Sequence, residues 1–377
     1  MIRKAENMNF RDLGISKDIE NKLFKEGIKA PTPIQEEAIP FIKAGDDLIA
    51  EAQTGTGKTL AFILPVFENI NESSKNTEVL ILTPTRELAI QIYNECEKLK
   101  EVKNINILAA YGGKDIGSQL KKLKGSPIHL IIATPGRLLD HLKRGSVNLS
   151  KLKTFVLDEA DQMLLMGFKN EVEDIKKYCS KKHQMLCFSA TMDSKVKKLA
   201  YRYMNDPKVV SIKKESITLD NIKQEVVKTT DRWKQDSLKK VLNEDNPFLA
   251  LIFCRTKRRA DNLEIGLSRD GFNCAKIHSD VPQNKRERIM KNFRDAKIQY
   301  LIATDVAARG IDISGVDHIY NYDIPETPES YIHRIGRCGR AAEKGYTCMF
   351  VDPKDFTKLE EIEEAIKMTI PEREVEL

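Results

Sequence analysis

Ten short, unbroken apolar runs recur along this chain of 377 residues, separated by helix-type patterns, and that rhythm limits the fold more than any other feature. The first five are Leu48–Ala50, Val79–Thr83, Leu130–Thr134, Phe155–Leu157 and Met185–Ser189. The second five are Leu249–Cys254, Cys274–His278, Tyr300–Ala303, His318–Tyr322 and Tyr346–Val351. Runs without polar alternation suit strands covered on both faces, hence parallel sheets flanked by helices. The alternation of strand and helix predicts doubly wound α/β domains. The rhythm pauses between Asp206 and Gln224, around the polar stretch Lys213-Lys214-Glu215-Ser216. We therefore expect a first domain over 1–212, a linker over 213–222, a second domain over 223–365 and a short acidic tail over 366–377.

The length is too great for one ordinary core, which agrees with two domains. No apolar run approaches the roughly 20 residues of a membrane span. The first residues carry charge with no apolar segment behind them, so no signal peptide is expected and a cytoplasmic location is the default. The net charge of +6 is compatible with a polyanionic partner but does not identify one. Seven cysteines form no CxxC pair, so a zinc site is not expected, and buried reduced thiols are.

The strongest local signal is Ala52-Gln53-Thr54-Gly55-Thr56-Gly57-Lys58-Thr59, between the run ending at Ala50 and the helical pattern from Leu60. Strand, glycine-rich loop and helix together form a phosphate cradle. Glycines let several N–H groups face the phosphates, and the new helix points its positive end at them. Lys58 is placed near the β- and γ-phosphates and the Thr59 hydroxyl on Mg²⁺. A Gly/Thr-rich turn that merely caps a helix would read similarly. One departure from the G-x-x-x-x-G-K-[ST] pattern is Ala52 at its first position.

About 100 residues further on, Phe155-Val156-Leu157 runs into Asp158-Glu159-Ala160-Asp161. Acids at the carboxyl end of a parallel strand face the ligand crevice. Asp158 is assigned to Mg²⁺ and Glu159 to the attacking water as general base. A solvated acidic turn is the alternative. In the second half, His333-Arg334-Ile335-Gly336-Arg337-Cys338-Gly339-Arg340 places three arginines within seven residues. Guanidiniums can stabilise the charge of phosphoryl transfer, and a basic surface turn is the alternative.

With these segments in hand, the chain resembles the DEAD-box ATP-dependent RNA helicases of superfamily 2, in a minimal, bacterial-type core. The resemblance covers about residues 10 to 350 and rests on motifs that occur in the family's order. They are Pro31-Thr-Pro-Ile-Gln35, Pro84-Thr-Arg-Glu-Leu-Ala89, Gly112-Gly113, Thr134-Pro-Gly-Arg137, Asp158-Glu-Ala-Asp161, Ser189-Ala-Thr191, Gln283-x-x-Arg286 and Ala303–Asp312. It implies two tandem RecA-like domains, with ATP and Mg²⁺ as cofactors. Gln35, in an amino-terminal segment 8–36, resembles the family's adenine-reading glutamine, and Phe10 the aromatic that supports it. Asp312 resembles the ribose-binding acid, and Arg337 and Arg340 the arginine fingers. Asp161, Ser189, Thr191 and His333 resemble the groups that link the ATP site to closure on RNA.

The implied RNA contacts are Pro84, Thr85, Arg86, Gly113, Thr134 and Arg137 in the first half, and Arg255, Arg286 and Thr304 in the second. Hydroxyls, arginines and glycine amides suit a sugar-phosphate backbone and carry no base identity. Binding should be sequence-tolerant and weaken with salt, with a slope of about −0.7 per phosphate neutralised on a single strand. Ile28, Ser279 and Cys338 stand where the family usually has an aromatic, a glycine, and Thr or Ser. The implied activity is RNA-stimulated ATP hydrolysis with local unwinding of short duplexes by a monomer. An ATP-gated RNA clamp shares every motif. The RNA target, and any partner from ribosome assembly or RNA decay, is left open by the residues themselves.

Overall fold

The computed structural model describes residues 8–53, 55–113, 115–192, 194–212, 222–308, 315–338 and 345–376. The chain divides into two compact units, Met1–Lys214 and Glu215–Leu377. The first holds a parallel sheet of β1 (Leu48–Glu51), β2 (Val79–Leu82), β3 (Ile107–Ala110), β4 (Leu130–Ala133), β5 (Thr154–Leu157), β6 (Gln184–Ser189) and β7 (Lys208–Ser211). Their spatial order is β3-β4-β2-β5-β6-β1-β7. The second holds β8 (Ile222–Lys228), β9 (Ala250–Cys254), β10 (Cys274–Ile277), β11 (Tyr300–Thr304), β12 (His318–Asn321) and β13 (Gly345–Val351), in the order β10-β11-β9-β12-β13-β8. All ten expected strands are present, with ends within one residue of the expected ones.

The unbroken runs have a direct cause. Successive strand side chains point to opposite faces, and each sheet carries a core on both. In β2, Val79 and Ile81 enter a core with Phe62, Phe67 and Ile92, while Leu80 and Leu82 enter a second with Leu138, Phe155 and Met185. In β9, Leu251 and Phe253 pack with Tyr331 and Ile335, and Ala250, Ile252 and Cys254 with Leu238 and Leu263. The seven cysteines are free and buried or half-buried, as expected. Among the described residues no helix is long and apolar enough to cross a membrane.

Two segments differ from the expectation. The pause after Asp206 contains β7, and β8 begins at Ile222. The final residues, expected as an acidic tail, lie along β8. The Val226 amide donates to Pro371 O (2.9 Å), and the Arg373 amide to Val226 O (2.8 Å). The Arg373 guanidinium reaches Asp245 (2.8 Å), Glu244 (2.7 Å) and the Tyr346 hydroxyl (2.7 Å). Ile370 is buried. Apolar anchoring plus one multiply bonded arginine holds the segment in place.

Candidate functional site

In the first unit every candidate side chain beyond the amino-terminal segment lies at or just after the carboxyl end of a parallel strand. The strand order sorts them into two neighbourhoods. β1, β5 and β6 are neighbours and carry the phosphate loop, Asp158–Asp161 and Ser189–Thr191. β3, β4 and β2 are neighbours and carry Gly113, Thr134–Arg137 and Pro84–Arg86. Thr54, Asp312 and Arg340 fall outside the described residues.

The phosphate loop is held from three sides. The Ala52 amide donates to Ser189 O (3.1 Å), so the loop and the end of β6 are one hydrogen-bonded unit. Ala52 is buried, so its methyl, absent from the usual glycine, is packed rather than in the way. Lys58, itself buried, turns back to donate to Ala52 O (2.5 Å). The Thr56 hydroxyl donates to Gln53 O (2.7 Å). Gly55 and Gly57 take left-handed backbone (φ 84° and 90°). Gly57 is also fixed by space, because a Cβ there would lie 2.5 Å from Gln35 Nε2 and 2.8 Å from Thr32 Oγ1. The helix Lys58–Asn69 starts directly from this turn, which is the geometry that binds phosphate.

Gln35 is the third support. It is buried, donates from Nε2 to Gly57 O (3.0 Å), and accepts the Thr32 amide at Oε1 (3.0 Å). The glutamine assigned to adenine is therefore bonded to the phosphate loop itself. A purine edge meeting it would use the remaining N–H and lone pair. Phe10 is fully buried in the core beneath this segment. Thr32 was not singled out from the sequence. Its Oγ1 lies close beside the loop, and the residue forms a capping box with Gln35. Ile28 packs half-buried against the same core.

Asp158 is buried, and Oδ1 accepts the Glu159 amide (3.0 Å). Burial pushes its carboxyl up to about 6, with Lys58 pulling the other way. Glu159 is buried and occupies left-handed backbone (φ 52°), a strained conformation for a residue with a side chain. That twist separates the directions of the two acids at the strand end. Asp161 joins the coupling residues. Its amide donates to Ser189 Oγ (3.3 Å), its carboxylate accepts the Thr191 hydroxyl (3.1 Å), and Ser189 Oγ donates to Thr191 O (2.7 Å). The three residues expected to link two sites thus form one hydrogen-bonded knot, one bond from Ala52.

Asp158 yields a stability prediction. A carboxyl whose folded pKa is raised binds its proton more tightly in the native state than in the unfolded one. Its ionisation therefore destabilises the fold as pH rises from about 4 through about 6. Asp158→Asn should raise the melting temperature of the ligand-free protein at pH 7.5 by several degrees, for a gain of about 1–3 kcal/mol. The advantage should close as pH falls below 6. Differential scanning calorimetry at both pH values checks it.

In the second neighbourhood the loops touch. A Cβ on Gly112 would lie 3.2 Å from the Arg86 guanidinium, so the loop after β3 lies against the helix after β2. Gly113 takes positive φ (84°). Thr85 and Thr134 start the helices Arg86–Leu99 and Pro135–Lys143. The affinity of Arg137 for its proton is lowered by burial and by the Arg86 cation. Two guanidiniums and two helix N-termini converge, a surface suited to phosphates.

The second unit repeats the arrangement. Arg255 follows β9, Arg286 lies in the helix after β10, and Thr304 ends β11; these three strands are neighbours. Arg255 is engaged by Glu326 (2.8 Å) and Asp355 (3.4 Å), which a phosphate would replace. Arg286 is buried, with Nη1 3.4 Å from His278 O. Ser279 is exposed, its hydroxyl 3.3 Å from Asp280. His333 and Arg337, after β12, line a hollow with Asp305 and Ala308, after β11. The three arginines of this segment divide. Arg334 is buried and bonded to both oxygens of Asp305 (2.6 and 2.7 Å), Asn321 (2.9 Å) and Asp323 O (2.8 Å). It is a structural pin, while Arg337 stays half-exposed. Cys338 is buried and its thiol faces Ile335 O (3.2 Å).

A family model described as DEAD/DEAH box helicase matches residues 32–199, and one described as helicase conserved C-terminal domain matches 233–342. An ATP-dependent RNA helicase CshA of Limosilactobacillus reuteri is 45% identical over 361 residues, 96% of this chain and 72% of that protein. The chain belongs to the DEAD-box helicases. A Saccharomyces cerevisiae Dbp5 structure bound to RNA and ADP BeF3 matches with TM-score 0.87 and 30% identity, covering 97% of this chain and 95% of that one. A structure of Mss116p bound to ssRNA and AMP-PNP matches with TM-score 0.88 and 30% identity, covering 99% and 80%. The two parallel-sheet units are the RecA-like pair of this family.

Proposed function

We propose that this DEAD-box helicase couples ATP hydrolysis to gripping and locally opening RNA, with the residue roles that follow. The supporting observation is the partition of strand ends: phosphate-loop and acidic groups at β1, β5 and β6, and guanidiniums and glycine turns at β3, β4 and β2. The Dbp5 and Mss116p structures bound to RNA and ATP analogues carry the same fold.

ATP lies on the loop 52–59, with Lys58 turning from Ala52 O to the phosphates and Gln35 meeting adenine. Thr59 and Asp158 would hold Mg²⁺. The fit is good: Asp158 is buried, raised in pKa and, among the described residues, lacks a cationic partner at bonding distance, the state a divalent ion relieves. Among the described residues no three His, Cys, Asp or Glu converge as a metal cage, so the ion would complete its shell with phosphate and water, as Mg²⁺ commonly does. When bound, the ion screens the phosphate charge. Glu159 takes the proton of the attacking water. Arg337 and Arg340 stabilise the charge of the transferring γ-phosphoryl group, and Asp312 holds the ribose. His333 and the Asp161–Ser189–Thr191 knot pass nucleotide state to the RNA side.

RNA runs over Pro84, Thr85, Arg86, Gly113, Thr134 and Arg137, and over Arg255, Arg286 and Thr304. ATP and RNA each favour the arrangement in which both sites are complete, so each raises affinity for the other. We place the protein in the cytoplasm as a monomer, with a first domain over 1–212 and a second that runs from β8 through the segment lying along its edge. The test is ATP hydrolysis with ribosomal RNA, messenger-like RNA, single-stranded DNA and no nucleic acid. RNA of either kind should stimulate strongly and DNA weakly; equal rates in all four would overturn the reading. Short-duplex unwinding measured beside ATP-dependent retention of single strands separates opening from clamping.

A further inference from the structure

The helix Ile116–Gly125, which follows the Gly112–Gly113 turn, is seated differently from its neighbours. The helices Arg86–Leu99 and Pro135–Lys143 are held by apolar stripes, Leu88, Ile92 and Leu99 in one, Leu138, Leu139 and Leu142 in the other. In Ile116–Gly125 the one buried side chain among the described residues is polar, Gln119, while Ile116, Leu120 and Leu123 stay half-buried. Less buried apolar surface means a weaker non-directional hold. The partners of Gln119 therefore decide where the helix sits. Its Oε1 accepts from His141 Nε2 (2.8 Å), and its Nε2 donates to Tyr111 O (3.3 Å). His141 is fully buried, with Nδ1 2.9 Å from the Ser146 hydroxyl. Both ring nitrogens and both ends of the amide are engaged.

This relay joins two elements that have to be aligned. His141 lies one turn after Arg137, in the helix that Thr134 starts. Tyr111 O is the carbonyl just before Gly112–Gly113, and a Cβ on Gly112 would meet the Arg86 guanidinium at 3.2 Å. The two glycines have no side chains of their own to fix the turn. A hydrogen bond weakens steeply when it is pulled off line, so a polar key sets position more sharply than an apolar contact of equal strength. A buried polar pair with its partners satisfied is also rigid. For stability alone, two apolar side chains of the same shape would serve as well. We infer that His141 and Gln119 are positioning residues: through Tyr111 O they align the Gly112–Gly113 turn with Arg86 and Arg137, and so set how much RNA is needed to stimulate hydrolysis, without touching RNA. The inference rests on the RNA reading above and deepens it by naming what places the turn.

The test compares two replacements of the pair. Gln119→Leu together with His141→Leu removes both bonds and leaves apolar side chains in their place, so melting should stay within a few degrees of the parental value. His141→Gln puts an amide N–H where the imidazole Nε2–H stands and keeps the bond to Gln119. ATP hydrolysis is measured against a single-stranded RNA decamer. In the double variant the RNA concentration for half-maximal stimulation should rise about tenfold, with kcat at saturating RNA within about twofold of parental. His141→Gln should stay within about threefold of the parental RNA requirement. Added to Arg86→Gln, the double replacement should raise that requirement by much less than it does alone, because the turn then has no guanidinium to align. A parental RNA requirement in the double variant would make the pair an ordinary buried contact. The same rise in His141→Gln would assign the effect to the bulk of the ring. Full additivity with Arg86→Gln would break the route through the turn. A fall in kcat at an unchanged RNA requirement would move the pair to another step. Each of these overturns the inference. Should the double variant not fold, Gln119→Met keeps length and volume and carries the same expectation, with the same results against it. Parental protein whose hydrolysis RNA does not stimulate fails at the underlying reading instead, a result distinct from all of these.

Discussion

Glu159→Gln should lower RNA-stimulated ATP hydrolysis by about two to four orders of magnitude while leaving ATP and RNA binding close to parental. Glutamine keeps the shape and can still hydrogen-bond water, but it cannot take a proton at neutral pH. The backbone at this position makes the change cleaner than a truncation. Glu159 sits at φ 52°, held by the bond between its amide and Asp158 Oδ1. Glutamine has the same backbone preferences, so the strain and the neighbouring Asp158 stay as they are. The variant should also retain RNA longer in the presence of ATP, because the reset that follows hydrolysis is delayed. Phosphate release under saturating RNA, with nucleotide affinity measured separately, decides the matter. Turnover at the parental rate would remove the general-base assignment.

Arg334→Ala should cost the second unit about 3–5 kcal/mol, enough to unfold it near physiological temperature. The guanidinium satisfies both Asp305 oxygens, Asn321 and a backbone carbonyl, and lies 4.9 Å over the Phe253 ring. Asn321 is fully buried, so losing its donor leaves a polar group with no route to water. Three residues on, Arg337→Ala should do the opposite. It should leave melting nearly unchanged and slow hydrolysis by about three orders of magnitude or more. Paired melting curves and turnover numbers distinguish the pin from the finger. Matching effects from the two substitutions would refute the division.

Spacing alone does not distinguish these arginines, because it cannot show which guanidinium turns inward; the family resemblance singled out Arg337 and Arg340 and left Arg334 without a role. The strands illustrate a related limit. Most of the ten were legible as apolar runs because both of their faces are covered, while β10, itself an edge strand, alternates buried and half-buried residues. The three that were not, β3, β7 and β8, all lie at sheet edges. β7 reads Lys-Val-Val-Ser with one buried residue, and β8 mixes Lys, Gln and Glu among its valines. A strand with a neighbour on one side needs less apolar surface, and its letters blur into linker. The phosphate loop and the acids after β5 were legible because their chemistry demands particular residues. The bond from Gln35 to Gly57 O was not, since a motif records which residues occur and not which of them touch. Thr32 was missed for the same reason.

The segment around Glu372 changes how the second unit should be handled as a separate piece. A strand edge with free amides and carbonyls is a template for another chain. Here Pro371 and Arg373 occupy that template on β8, and the Lys228–Glu372 pair (2.6 Å) closes over it. A fragment ended at residue 365, where helical patterning stops, would uncover the edge together with Ile370's pocket. Self-association of such a fragment would then reflect a missing selvedge, and would say nothing about the native assembly.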